Sequence, residues 1–152
     1  RQEMPFTYFE RTWLPGGYWA MVVTQPDRMP ATATERRWLE ALLGLARGGD
    51  KAATVRGYRA ALAKWPDSLP AAVGLANHLH EQRAFDEAAT VLRTALAKNP
   101  NSVILMNNLA QTLSDQGRNE EALEMIQRAQ AVQSPFAAEV RATREMIEQR
   151  LR

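Results

Sequence analysis

The sequence predicts a mostly α-helical solenoid: three helix-turn-helix repeats and a C-terminal capping helix, preceded by a short N-terminal arm that contains one β-strand. Three observations predict it. Pro66, Asp67 and Ser68 recur 34 residues later as Pro100, Asn101 and Ser102, and Leu75, Leu79, Ala88, Leu92 and Ala95 recur as Leu109, Leu113, Ala122, Ile126 and Ala129. A fixed period of that length marks stacked helix pairs. From Glu35 onward, apolar residues return every three or four positions, which is the helical period. Before about residue 30 the chain differs in kind, with six of the eleven aromatic residues and four of the eight prolines.

In the arm, Pro15-Gly16-Gly17 is a turn signal. Residues 18–24 read Y-W-A-M-V-V-T, aromatic and β-branched, and predict a strand. Residues 5–13 suit one short helical turn or two, and residues 26–33 a linker. A lone strand leaves its edges without partners. It therefore completes a sheet whose other strands lie elsewhere, pairs with another chain (a copy of itself in a homodimer, for example), or belongs to an arm packed on the first helix pair. The first residue is Arg1, and no charged start, apolar stretch and small-residue cleavage site follow it. A fragment of something longer is the expectation.

Residues 35–68, 69–102 and 103–136 align without a gap as three repeats of 34. Each holds two apolar-periodic segments joined by a turn. In the second, Leu75 and Leu79 face Phe85, Ala88, Leu92 and Ala95 across the turn, and small Ala76, Ala88 and Ala95 allow close helix approach. Asn99-Pro100 ends the repeat, because proline disfavours helix in the residue before it. Gly117 makes the turn of the third repeat. The first is a weaker copy, with Trp38, Leu45, Tyr58, Ala61 and Pro66 at matching phases, Gly48-Gly49-Asp50 as the turn and Asp50 as an N-cap. Ser134-Pro135 is expected to open the final helix, with proline in its first turn. There Val140, Ile147 and Leu151 form one narrow apolar line, as a capping helix requires.

These residues resemble the tetratricopeptide repeat family. Its motif is met in the second repeat by Ala72, Leu75-Ala76, Leu79, Ala88, Leu92, Ala95 and Pro100. The third repeat meets it with Met106, Leu109-Ala110, Leu113, Ala122, Ile126 and Ala129, Ser134 taking the proline phase. The first departs further, with Ala41-Leu42 for Leu-Gly/Ala and Thr54 for an alanine. The resemblance implies a scaffold that binds a peptide or protein and catalyses nothing.

Composition narrows the function. Charged residues are 24 % of the chain, the net charge is +2, and Arg and Lys form no block, so nucleic-acid binding has little support. No apolar run approaches the roughly 18–20 residues of a membrane span. The absence of cysteine excludes disulfides, cysteine-ligated metal and thiol catalysis within this chain. The two histidines, His78 and His80, lie two apart, about 200° around a helix, and do not share one metal ion. Glu120-Glu121 falls at a helix start, where the helix dipole favours acids. No cofactor, metal or catalytic constellation is expected.

The candidate site is instead the inner face of the stacked first helices. That phase carries Val73, Asn77, His80 and Glu81 in the second repeat, and Ile104, Asn107, Gln111, Ser114 and Asp115 in the third. Asn108 is adjacent, and Arg141 continues the row into the capping helix. Amide side chains both donate to and accept from a peptide backbone, so an extended peptide is the expected ligand. By the family resemblance, Asn77 and Asn108 fall where some relatives clamp a C-terminal carboxylate, but Val73 replaces the lysine that such a clamp uses.

Residues 6–26, F-T-Y-F-E-R-T-W-L-P-G-G-Y-W-A-M-V-V-T-Q-P, are similar to the end of a bacterial papain-like cysteine peptidase domain of the bacteriocin-processing type. This resemblance implies a peptidase parent in an extracytoplasmic bacterial setting. Its Cys, His and Asp would lie upstream of Arg1.

Overall fold

The computed structural model describes residue 29 and residues 31–152. The strand expected at residues 18–24 lies outside the described residues, as do residues 6–26. The described chain is all-α, with seven helices and no strand: α1 (Glu35–Arg47), α2 (Lys51–Lys64), α3 (Leu69–Glu81), α4 (Phe85–Lys98), α5 (Val103–Asp115), α6 (Asn119–Gln130) and α7 (Ala137–Leu151). The described residues divide between Ala71 and Ala72 into two compact units.

The helices begin and end by a repeated chemistry. Thr34 Oγ1 accepts from the Arg37 amide at 3.3 Å, Ser68 Oγ from Ala71 at 3.2 Å, and Ser102 Oγ from Leu105 at 3.3 Å. These hydroxyls stand 34 residues apart, and each satisfies an amide that the first helical turn leaves without a partner. The turn inside each pair repeats as well. Gly49, Arg83 and Gly117 hold φ of 86°, 62° and 81° at one phase of the 34-residue period. In α3, the Ala84 amide returns to the Leu79 carbonyl at 2.8 Å and Arg83 to His80 at 2.9 Å; Arg118 and Gly117 do the same at the end of α5. This left-handed cap suits glycine, which has no Cβ to clash. Arg83 takes it at a cost.

In the first unit α1 packs on α2. Trp38 is fully buried, and its indole N–H donates to the Gly57 carbonyl at 2.8 Å. Leu42, Ala53, Tyr58 and Ala61 fill the rest of this core. Burial raises the Tyr58 phenol above its ordinary pKa. Leu45, expected in the core, is half-buried; Leu42, one turn earlier, takes that place. Asp50 caps α2 through a 3.1 Å bond from the Ala53 amide. Thr54, at an alanine phase, resolves its buried hydroxyl by donating to the Asp50 carbonyl at 2.7 Å.

In the second unit α5 is central, packing on α4, α6 and α7. Leu79, Leu92, Leu105, Met106, Leu109, Leu113, Ile126 and Ile147 are fully buried. Alanines 88, 110, 122 and 129 lie among them where the helices approach closely. The final helix differs from expectation at both ends. Pro135 sits in a turn before it, where Ser134 Oγ accepts from the Phe136 amide at 3.1 Å, and the helix starts at Ala137. Its buried line is Val140, Thr143 and Ile147, while Leu151 is 39 % exposed.

Candidate functional site

The third turn of α3 sets Asn77, His80 and Glu81 on one side, at spacings of three and four. The middle of α5 brings Asn108, Gln111 and Thr112 opposite them. With Ala76 and Leu92 these side chains enclose a cleft of about 240 Å³, wholly within the second unit. Asn77 and Glu81 are exposed, while Asn108 and Gln111 are half-buried. Gln111 Nε2 donates to Thr143 Oγ1 of α7 at 3.2 Å, which fixes its amide plane at the cleft wall.

One end of the cleft is tied by charge. His80 Nε2 meets Asp115 Oδ2 at 2.5 Å, and Arg150 Nη1 of α7 donates to Asp115 Oδ1 at 2.8 Å. Arg150 also donates to Ser114 Oγ at 2.9 Å, and Ser114 donates to Asn119 Oδ1 at 2.6 Å. Burial pushes the Asp115 pKa up, but the hydrogen bonds from Arg150 and His80, with their charges, outweigh it and hold the carboxyl below its ordinary value. The His80 ring leans on Phe85, centroids 5.0 Å apart at 59°, and Arg83 covers Phe85 at 5.3 Å. His80 is therefore held from two sides while it lines the cleft.

The residues expected on this face separate into groups. Asn77, His80, Glu81, Asn108 and Gln111 line the cleft together. Ser114 is 4 % exposed and, with Asp115, belongs to the tie at its end. Val73 and Ile104 are half-buried and lie outside the cleft lining. Asn107 is half-buried, and its enclosed Oδ1 has no hydrogen-bond partner among the described residues. Arg141 is exposed and lines a different cavity of about 120 Å³, with Gln130, Val132 and Val140. Sequence reasoning missed Ala76, Leu92 and Thr112 in the cleft, and Arg150 and Phe85 in its support. One signal was present: His80, Asp115 and Arg150 are spaced 35 and 35 residues apart, close to one repeat. Among the described residues no group of three or more His, Asp or Glu lies close enough to hold a metal ion. None of their helices is long and apolar enough to cross a membrane.

Hydroxyl-capped helix pairs of 34 residues, with an amide-lined cleft between the first helices of neighbouring pairs, define the class of repeat scaffolds that offer a surface to a partner. The chain belongs to the tetratricopeptide repeat family, which matches it over residues 49–102 and 79–147. Solved structures of MamA share the fold. MamA MSR-1 C2 has a TM-score of 0.64 at 18 % identity, over 89 % of this chain and 78 % of its own. MamA AMB-1 P212121 has 0.67 at 19 %, over 89 % and 80 %. No curated protein matches the sequence significantly. The described residues are thus an all-α array of helix-pair repeats, and by its family the chain is a protein-interaction module.

Proposed function

We propose that the α3–α5 cleft binds an extended peptide segment of a partner protein. The observation that carries this reading is the convergence of three amides, Asn77, Asn108 and Gln111, on one cleft of about 240 Å³. An extended backbone has an unpaired donor and acceptor on each side, and amide side chains meet both. The neighbouring tie through Asp115 keeps His80 in place before any ligand arrives, and such pre-organisation lowers the ordering cost of binding. Enrichment of peptides from a random nine-residue library tests it. The expected result is selective enrichment on the wild-type protein. The double variant Asn77→Ala with Asn108→Ala should lose about tenfold or more in affinity while its Tm stays within about 3 °C. Equal loss of folding and binding would make these amides structural, and no enrichment by the wild type would remove the reading.

The similarity of residues 6–26 to the end of a papain-like cysteine peptidase domain supports a second element. In this reading the repeats form the C-terminal part of a larger bacterial peptidase and present substrate to it. The coding sequence preceding Arg1 tests it: a papain-like segment with a catalytic cysteine is expected, and its absence would overturn the link.

A further inference from the structure

We propose that the peptide taken by the α3–α5 cleft carries a cation, a Lys or Arg side chain or a free N-terminal amine, that pairs with Glu81. This rests on the cleft reading above and names the chemistry the cleft selects. The lining amides Asn77, Asn108 and Gln111 bring no net charge. His80 is committed to Asp115, and so is Arg150 of α7. Arg83, two residues beyond Glu81, lies over the Phe85 ring. Glu81 remains. It lines the cleft, is exposed, and its carboxylate makes no hydrogen bond or ion pair among the described residues.

Its position adds to the field. Glu81 is the last residue of α3, where the helix presents its partial negative charge. An acid there works against the helix that carries it, since a cation is what that end favours. The helix end and the carboxylate add partial and full negative charge at this mouth of the cleft, and among the described residues the nearby guanidiniums of Arg83 and Arg150 are turned to the Phe85 ring and to Asp115. A ligand cation satisfies both at once, whereas a ligand carboxylate meets repulsion from both.

The experiment uses nine-residue peptide libraries whose central residue is fixed as Lys, Arg, Gln or Glu, each acetylated and amidated, with a further Gln set left unacetylated. Bound fractions are read on the full chain, on Glu81→Gln and on the Asn77→Ala, Asn108→Ala double variant. Lys and Arg sets should bind the wild type about three- to fivefold better than the Gln set, with the Glu set weakest, as expected of an exposed ion pair. The preference should disappear in Glu81→Gln, whose Tm stays unchanged, and shrink in 1 M salt. A gain confined to the unacetylated set would identify a terminal amine as the cation; a gain confined to Lys and Arg would identify a side chain. Equal binding of all charge sets, or a preference that survives in Glu81→Gln, would overturn the inference and leave the cleft reading standing, provided the double variant still lowers binding of every set. Failure of all sets to bind the wild type would overturn both.

Discussion

His80 and Asp115 meet at 2.5 Å across the gap between α3 and α5, and Arg150 holds the other carboxylate oxygen at 2.8 Å from α7. One side chain thus joins three helices at the end of the cleft. Hydrogen bonds to charged groups at partly buried sites contribute more than surface ion pairs do. Asp115→Asn is expected to cost about 1–2 kcal/mol in urea denaturation, because one neutral amide replaces a carboxylate that both Arg150 and His80 engage.

The same residue sets a pH dependence. Its folded pKa lies below the ordinary carboxylate value. The unfolded state therefore takes up the proton first as pH falls. The stabilisation is fully present above about pH 4, the unfolded value, and is lost as pH drops through the lower folded value. Unfolding curves measured from pH 6 to pH 2 should show this loss in the wild type and a flatter profile in Asp115→Asn.

Arg83 occupies a left-handed backbone position with φ 62° that the other two repeats give to Gly49 and Gly117. Arg83→Gly should raise stability by about 0.5–1 kcal/mol, the strain relieved less the contact with Phe85. Gly117→Ala should lower it by about 1 kcal/mol from backbone strain alone, since an added Cβ meets nothing within 4 Å. Paired thermal melts check both signs.

Ser102→Ala removes the hydroxyl that accepts from the Leu105 amide at the start of the central helix. The expected loss is about 1 kcal/mol, with Gly at the same position losing less. Chemical denaturation of the two variants side by side makes the comparison.

Trp38→Phe should cost about 2–3 kcal/mol, through lost volume in a fully buried site and the unmade bond to the Gly57 carbonyl. Amide exchange confined to α1 and α2 is the readout that separates this effect from a global one.

The repeat period and the apolar phases were legible because the same packing problem is solved with the same residue types every 34 positions. Leu75, Leu79, Ala88, Leu92 and Ala95 and their later copies are buried for that reason. Arg83 was harder to read as a turn, since the glycine that usually announces a left-handed cap is missing there; only its phase to Gly49 and Gly117 marks it. Of the cleft amides, Asn77 and Gln111 lay on the helix phase read as the inner face, and Asn108 lay adjacent to it. Ser114 shares that phase but is buried beside the cleft, where Asn119 and Arg150 satisfy its hydroxyl. Arg141 shares the sequence row but opens on another cavity, since α7 packs on both α5 and α6. The strand expected at residues 18–24 lies outside the described residues.

Thr34, Ser68 and Ser102 give each first helix the same opening, so the repeat boundaries are interchangeable joints. A second copy of residues 69–102 spliced after Ser102 would meet a serine cap at its entrance and supply one at its exit. The scaffold is in that sense modular at the level of single hydroxyls, and its length is open to change without new junction chemistry.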